Sequence, residues 1–115
     1  MKALFSILRT VRKLVGLYED DPSFDTDLLI YINTAFQALN ELGVGPEECF
    51  SVEDESALWS DFVKDTTIPV APVKTYVCNK VKLAFDPPAN AQITQSIQNT
   101  INEAEWRLSI LVNKA

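Results

Sequence analysis

No histidine occurs anywhere in this chain. The commonest general base, the usual partner of a nucleophilic serine or cysteine, and the commonest metal-binding side chain are therefore all missing. There are only two cysteines, Cys49 and Cys78, far apart in sequence. Without histidine they offer no zinc-ligand spacing, and they read as free, buried thiols of a reducing cytoplasm. The acidic run Glu53, Asp54, Glu55 lacks the glycine and the spaced ligands of a calcium loop, so it reads as an exposed loop and helix start. This inventory points away from an enzyme: no catalytic residue, cofactor or metal is expected. Long hydrophobic runs are missing too. Nothing approaches the roughly 20 apolar residues of a membrane helix. The apolar run before Arg9 is too short for a signal-peptide core, and basic residues follow it rather than a cleavage site. The expectation is a protein that is cytosolic where it is made, with no membrane partner.

What is present is an ordinary globular balance. Of 115 residues, 47% are hydrophobic and 23% charged, which suits one domain with one modest core and excludes a disordered chain. The net charge of −6 is unevenly spread. Residues 1–15 hold Lys2, Arg9, Arg12 and Lys13 and no acid, for +4, residues 16–65 carry −12, and residues 66–115 carry +2. A basic first segment beside an acidic middle suggests surfaces that meet head to tail between copies, although two solvated faces explain the pattern equally well.

Periodicity supplies the fold class. In residues 24–43, Leu28, Ile32, Ala35, Leu39 and Leu42 recur at spacings of four and three, with Leu29 and Phe36 widening the stripe, which predicts an amphipathic helix over about residues 25–42. Asp25 or Ser23 is the expected cap. Leu4, Ile7, Leu8, Val11, Leu14 and Val15 predict a short helix over residues 2–15. Leu58, Trp59, Phe62 and Val63 predict another, capped by Asp54 or Ser56. Val73, Tyr76, Val77, Val81 and Ala84 form one face of a helix that has Pro72 near its start and ends at Pro87 and Pro88. Ile93, Ile97, Ile101, Ala104, Leu108 and Leu111 make a long stripe over about residues 91–112. A second apolar edge of Trp106, Ile110 and Val112 widens that helix. No alternating strand pattern of useful length appears, and residues 49–54 allow a short extended piece at most. The expectation is an all-α bundle in which two long antiparallel helices, residues 25–42 and 91–112, pack together through their stripes, with shorter helices around them.

The stretch LGVGPEE, residues 42–48, carries two of the few glycines. A phosphate loop needs its glycines before a helix, with amide donors at the helix N-terminus, and usually a lysine. Here the glycines follow a helix and glutamates follow them. Gly43 is placed to cap the helix in the left-handed conformation, and Gly45 with Pro46 turns the chain.

The ordered succession INTAFQALNELGVGPEECFSVEDESALWSDFV, VKTYVCNKVKLAFDPP and INEAEWRL resembles the head–tail connector proteins of long-tailed bacteriophages and of prophages of Gram-positive hosts. The resemblance covers roughly residues 18–110, so a single connector domain is expected, with residues 1–17 a basic N-terminal helix that varies in the family and residues 18–112 the helical core. Cys49 departs from the small residues common at that loop position.

The resemblance implies a structural virion protein of the neck, assembled in the host cytoplasm. It implies a ring of about twelve copies beneath the portal protein, closed by head-to-tail contacts. Such a ring extends the DNA channel, passes double-stranded DNA without sequence-specific binding, and offers a docking surface to a stopper or tail-completion protein. Acids between Glu19 and Asp65 would then line the lumen and repel phosphates. Arg9, Arg12, Lys13, Trp59, Phe62, Trp106 and Ile110 are the candidate subunit or portal contacts. For Trp59 and Phe62 a place in the chain's own core is the stronger reading, and for Trp106 simple burial is an equal one. An alternative is a small acidic regulatory or DNA-mimic protein, against which the basic first segment speaks.

Overall fold

The computed structural model describes residues 6–64 and 68–114. Among the described residues there are five helices, α1 (Ile7–Leu14), α2 (Asp25–Glu41), α3 (Trp59–Val63), α4 (Val70–Phe85) and α5 (Ala91–Lys114), and the only β-pairing is an isolated bridge between Ser6 and Leu58. The all-α expectation holds. The N-terminal part of the helix expected over 2–15 lies outside the described residues. No helix is long and apolar enough to cross a membrane.

The arrangement differs from the expected pairing of the two long helices. α2 and α5 each pack chiefly on α4, which lies between them. The physical reason is on α4 itself. Val73, Tyr76, Val77, Cys78 and Val81 are all buried, and these positions span more than one side of the helix, so α4 has two faces to cover. Ala84, expected on its apolar face, is exposed. α5 contributes Ile101, Ala104 and Leu108 to the core, while Ile93 at its start is half exposed. At about 1.5 Å per residue α5 is about 36 Å long, close to the 38 Å longest extent of the molecule. α5 is thus docked by its middle, and much of its surface is free.

Local chemistry sets the helix ends. α2 closes on Leu42 with Gly43 at φ 83°. The Val44 amide donates to the Leu39 carbonyl at 2.9 Å and the Gly43 amide to the Asn40 carbonyl at 3.0 Å. Val44 and Leu39 are both buried, so the whole left-handed capping motif is present, as LGVGPEE predicts. The start of α2 departs from expectation: neither Ser23 nor Asp25 caps it, and Asp25 is engaged elsewhere. α3 is capped by neither Asp54 nor Ser56. Its Asp61 carboxylate accepts from the Leu58 amide at 2.9 Å instead. Pro72 is the third residue of α4, where a missing N–H costs nothing because the first four have no intrahelical acceptor. Asn90 starts α5, its side chain accepting from the Gln92 amide at 2.7 Å and the Ile93 amide at 3.3 Å.

The segment between α2 and α3 has no regular secondary structure but is tightly held. Asn33, in the middle of α2, accepts from the Val52 amide at 2.7 Å and donates to the Val52 carbonyl at 3.0 Å, so a side chain supplies both bonds of a missing strand partner. The Asn40 amide group donates to the Pro46 and Glu47 carbonyls, each at 3.2 Å. Phe50 and Phe62 stack against Phe36 with centroids 5.0 and 4.8 Å away. Gly45 lies against this cluster: a Cβ there would meet the Phe62 ring at 2.5 Å.

Candidate interaction surfaces

The basic first segment is divided by the fold. Arg12 is buried, only 1% exposed. Its Nε donates to Asp25 Oδ1 at 2.9 Å, one Nη to Asp25 Oδ2 at 2.6 Å, and the other to the Glu19 carbonyl at 2.7 Å and to the Glu55 carboxylate. Arg9 adds Glu19 at 3.0 Å and Glu55 at 3.5 Å. The Glu19 hydrogen bond foremost holds Arg9 above its ordinary pKa, the Asp25 bond does the same for Arg12, and the Arg12 bond holds Glu55 below the usual carboxylate range. The acidic partner expected on another subunit is thus, for these two arginines, the same chain's own middle segment. Arg12 is no surface residue. Lys13 alone of the three candidates is exposed and outside this cluster.

Trp59 and Phe62 are buried in the chain's own core. The Trp59 ring packs on Phe36, centroids 6.3 Å apart, its indole N–H donates to Thr10 Oγ1 at 3.2 Å, and Lys74 Nζ lies 5.9 Å from its centroid. Their interface reading is set aside, and the loop-anchoring one stands. Gly43 and Gly45, with φ 83° and 93°, and Pro46 form the loop at which α2 stops. Of the thiols, Cys78 is buried on α4 and raised by desolvation to about 12, whereas Cys49, expected buried, is exposed in the 42–58 loop. A loop cysteine has no periodic stripe to reveal its side, which is why sequence alone misplaced it.

Trp106 and Ile110 have the opposite fate. Both line a groove of about 640 Å³ between the first turns of α4 and the C-terminal half of α5, together with Pro69, Pro72, Ala104 and Leu111. Trp106 is 64% exposed. Glu103 and Arg107, paired at 2.8 Å across one turn, also line it. This is an aromatic, proline-rimmed surface whose two charges pair with each other and which no element covers among the described residues, the kind that large exposed apolar groups mark as an interaction site. Among the described residues no cluster of acids and cysteines fit for a metal ion occurs.

The buried role of Arg12, read from the sequence as a surface contact, and the role of Asn33 both escaped the sequence reading. Arg12 falls four residues after Leu8 and three before Val15, on the buried stripe of α1, and a charge on such a stripe signals an internal ion pair. Asn33, a polar residue inside a helix beside a buried stripe, signals a tertiary hydrogen bond by the same logic.

A family model described as phage connector protein matches residues 7–114. No curated protein and no solved structure matches the chain.

Proposed function

We propose, because this chain belongs to the phage connector protein family, that it assembles as a ring beneath the portal protein, extends the DNA channel, and presents a docking surface to a stopper or tail-completion protein. As a member of that family it is a structural component of the virion with a head–tail connector role. The observation that carries the reading is the reach of the match: residues 7–114 run from the first residue of α1 to the last of α5, so the family likeness covers the whole bundle and not one hairpin of it. The ring has about twelve copies, closed by one heterologous contact repeated around it, and is put together in the host cytoplasm.

In this reading the acids that face the channel are drawn from those left outside the Arg9–Arg12 cluster. Glu47, Glu48 and Glu53 are exposed and repel a duplex whose nonspecific affinity for protein rests on Lys and Arg contacts to phosphate. Asp65 lies outside the described residues. The internal pairing of Arg9 and Arg12 supports the same picture, because it keeps two cations away from the DNA.

Deleting the gene from its phage and supplying it in trans tests the proposal. Heads made without the protein should lose DNA and fail to join tails, with both defects repaired by the wild-type gene. Heads that keep their DNA and acquire tails without it would overturn the connector role.

A further inference from the structure

We infer that the groove between α4 and α5 receives the Tyr18 edge of a second copy of this chain. The inference rests on the self-assembly proposed above and names the two surfaces that meet.

A closing ring contact is heterologous, so each chain needs two different complementary surfaces. The described residues offer two with unpartnered aromatics. Trp106 in the groove is 64% exposed and Tyr18, just after α1, is 83% exposed, with Leu14, four residues earlier, at 53%. Neither Trp106 nor Tyr18 stacks on another ring among the described residues. Phe24, also exposed, is packed edge-on against Phe85 of its own chain at 5.4 Å, and the remaining large exposed apolar residues, Ile30 and Ile93, are aliphatic. An aromatic anchor filling a pocket is the commonest centre of binding energy at protein interfaces.

Position and charge agree with this pairing. α1 packs on α2 and α4, whereas α5 packs chiefly on α4, so the Tyr18 edge and the groove are built from different elements of the bundle. The groove is bordered by Glu103 and Arg107, each 62% exposed. Tyr18 is flanked in sequence by exposed Lys13 and Asp20, which take no ion pair among the described residues. Glu103 and Arg107 pair with each other at 2.8 Å in the single chain, and an exposed pair one helical turn apart is worth little, so Lys13 placed on Glu103 and Asp20 on Arg107 exchanges it for two opposite-charge contacts around one apolar centre. Rim charges of this kind orient partners and reject wrong ones.

The test uses the full chain with Cys49→Ser, which removes the exposed thiol. A variant carrying both Tyr18→Cys and Ile110→Cys, oxidised at high concentration, should give a ladder of disulfide-linked oligomers, while either substitution alone should not. Trp106→Ala should weaken self-association by about tenfold or more, with helical circular dichroism unchanged because the residue is exposed. No ladder from a double variant that still assembles by light scattering would overturn the inference and leave self-assembly standing. A Trp106→Ala protein that assembles normally but no longer joins portal or tail would assign the groove to another virion protein, and would also overturn it. A chain that stays monomeric both at high concentration and on portal-bearing heads would remove the self-assembly reading, and this inference with it.

Discussion

Arg12 of α1 and Asp25, the first residue of α2, form a two-pronged ion pair, Nε to Oδ1 at 2.9 Å and Nη2 to Oδ2 at 2.6 Å. The pair spans the irregular connection between the two helices, and Glu55 from the loop before α3 closes on the same guanidinium. A single buried cation therefore ties three separate stretches of chain together. The planar fork of arginine is what permits this, since each edge can hold one carboxylate. It also explains why Asp25 is not free to cap α2.

Removing the cation should be costly. Breaking a buried ion pair by deleting one partner typically costs about 3–5 kcal/mol. Here the carboxylates reach solvent, Asp25 at 25% and Glu55 at 44%, so Arg12→Met should lose about 2–3 kcal/mol, toward or below the lower end of that range. Arg12→Lys should lose stability as well, because an ammonium cannot serve both carboxylates and the Glu19 carbonyl in one plane. Lys13→Ala, one residue away and exposed, should change stability by under about 0.5 kcal/mol. Urea unfolding of the three variants measures all of this. Equal effects at positions 12 and 13 would contradict the buried cluster.

The same cluster sets a pH dependence. The Arg12 hydrogen bond foremost lowers the Glu55 carboxyl below its ordinary value of 4.5. A group with a depressed folded-state pKa contributes stability that is fully present above its unfolded value and is lost as pH falls through the folded one. Stability attributable to Glu55 should therefore be intact at neutral pH and decline below about pH 4.5. Glu55→Gln should be less stable than the parent at pH 7 and should show a shallower decline in acid. Parallel acid slopes for variant and parent would show that Glu55 is not titrating in the way its position implies.

How far the sequence was legible depended on whether the signal was local. The stripe Leu28, Ile32, Ala35, Leu39 and the stop at Gly43 are local, and both stand in the structure as read. The choice of neighbours is not local. α2 and α5 carry the longest stripes, yet α4 lies between them, because Cys78 widens its buried surface beyond the face traced by Val73, Tyr76, Val77 and Val81. Arg12 illustrates the same limit. Counted with Arg9 and Lys13 it makes a basic patch, but its place on the Leu8–Val15 stripe turns it inward. Trp106 and Ile110 were legible as a second edge of α5. The groove they share needs Pro69 and Pro72 from another helix, which no pattern within α5 contains.

The two thiols should be chemically distinct. Cys49 is exposed, and Cys78 is buried with desolvation raising its thiol to about 12. Since the thiolate is the reacting species, a disulfide reagent at pH 8 should titrate one thiol rapidly in the native protein and a second only after denaturant is added. Cys49→Ser should abolish the rapid phase, and Cys78→Ser should leave it intact. A mass two units below that of the dithiol in protein purified without oxidant would mean instead that the two had paired.

Gly45 and Gly16 separate two ways in which a glycine is required. Both have positive φ, 93° and 95°, so an alanine at either position pays the left-handed penalty of roughly 1–2 kcal/mol. A Cβ at Gly16 meets nothing within 4 Å, whereas at Gly45 it would meet the Phe62 ring at 2.5 and 2.6 Å. The ring cannot simply retreat, because Phe36 and Phe50 pack against it with centroids 4.8 and 5.2 Å away. Overpacking of this kind adds about 1–3 kcal/mol. Gly45→Ala should therefore destabilise the domain clearly more than Gly16→Ala, by thermal or urea unfolding. If the effect runs through Phe62, then Phe62→Leu should recover part of the Gly45→Ala loss in the double variant, a coupling that a double-mutant cycle measures directly. Additive losses at the two positions would mean that the loop turns at Gly45 for its backbone alone, and that the contact with the aromatic cluster is incidental.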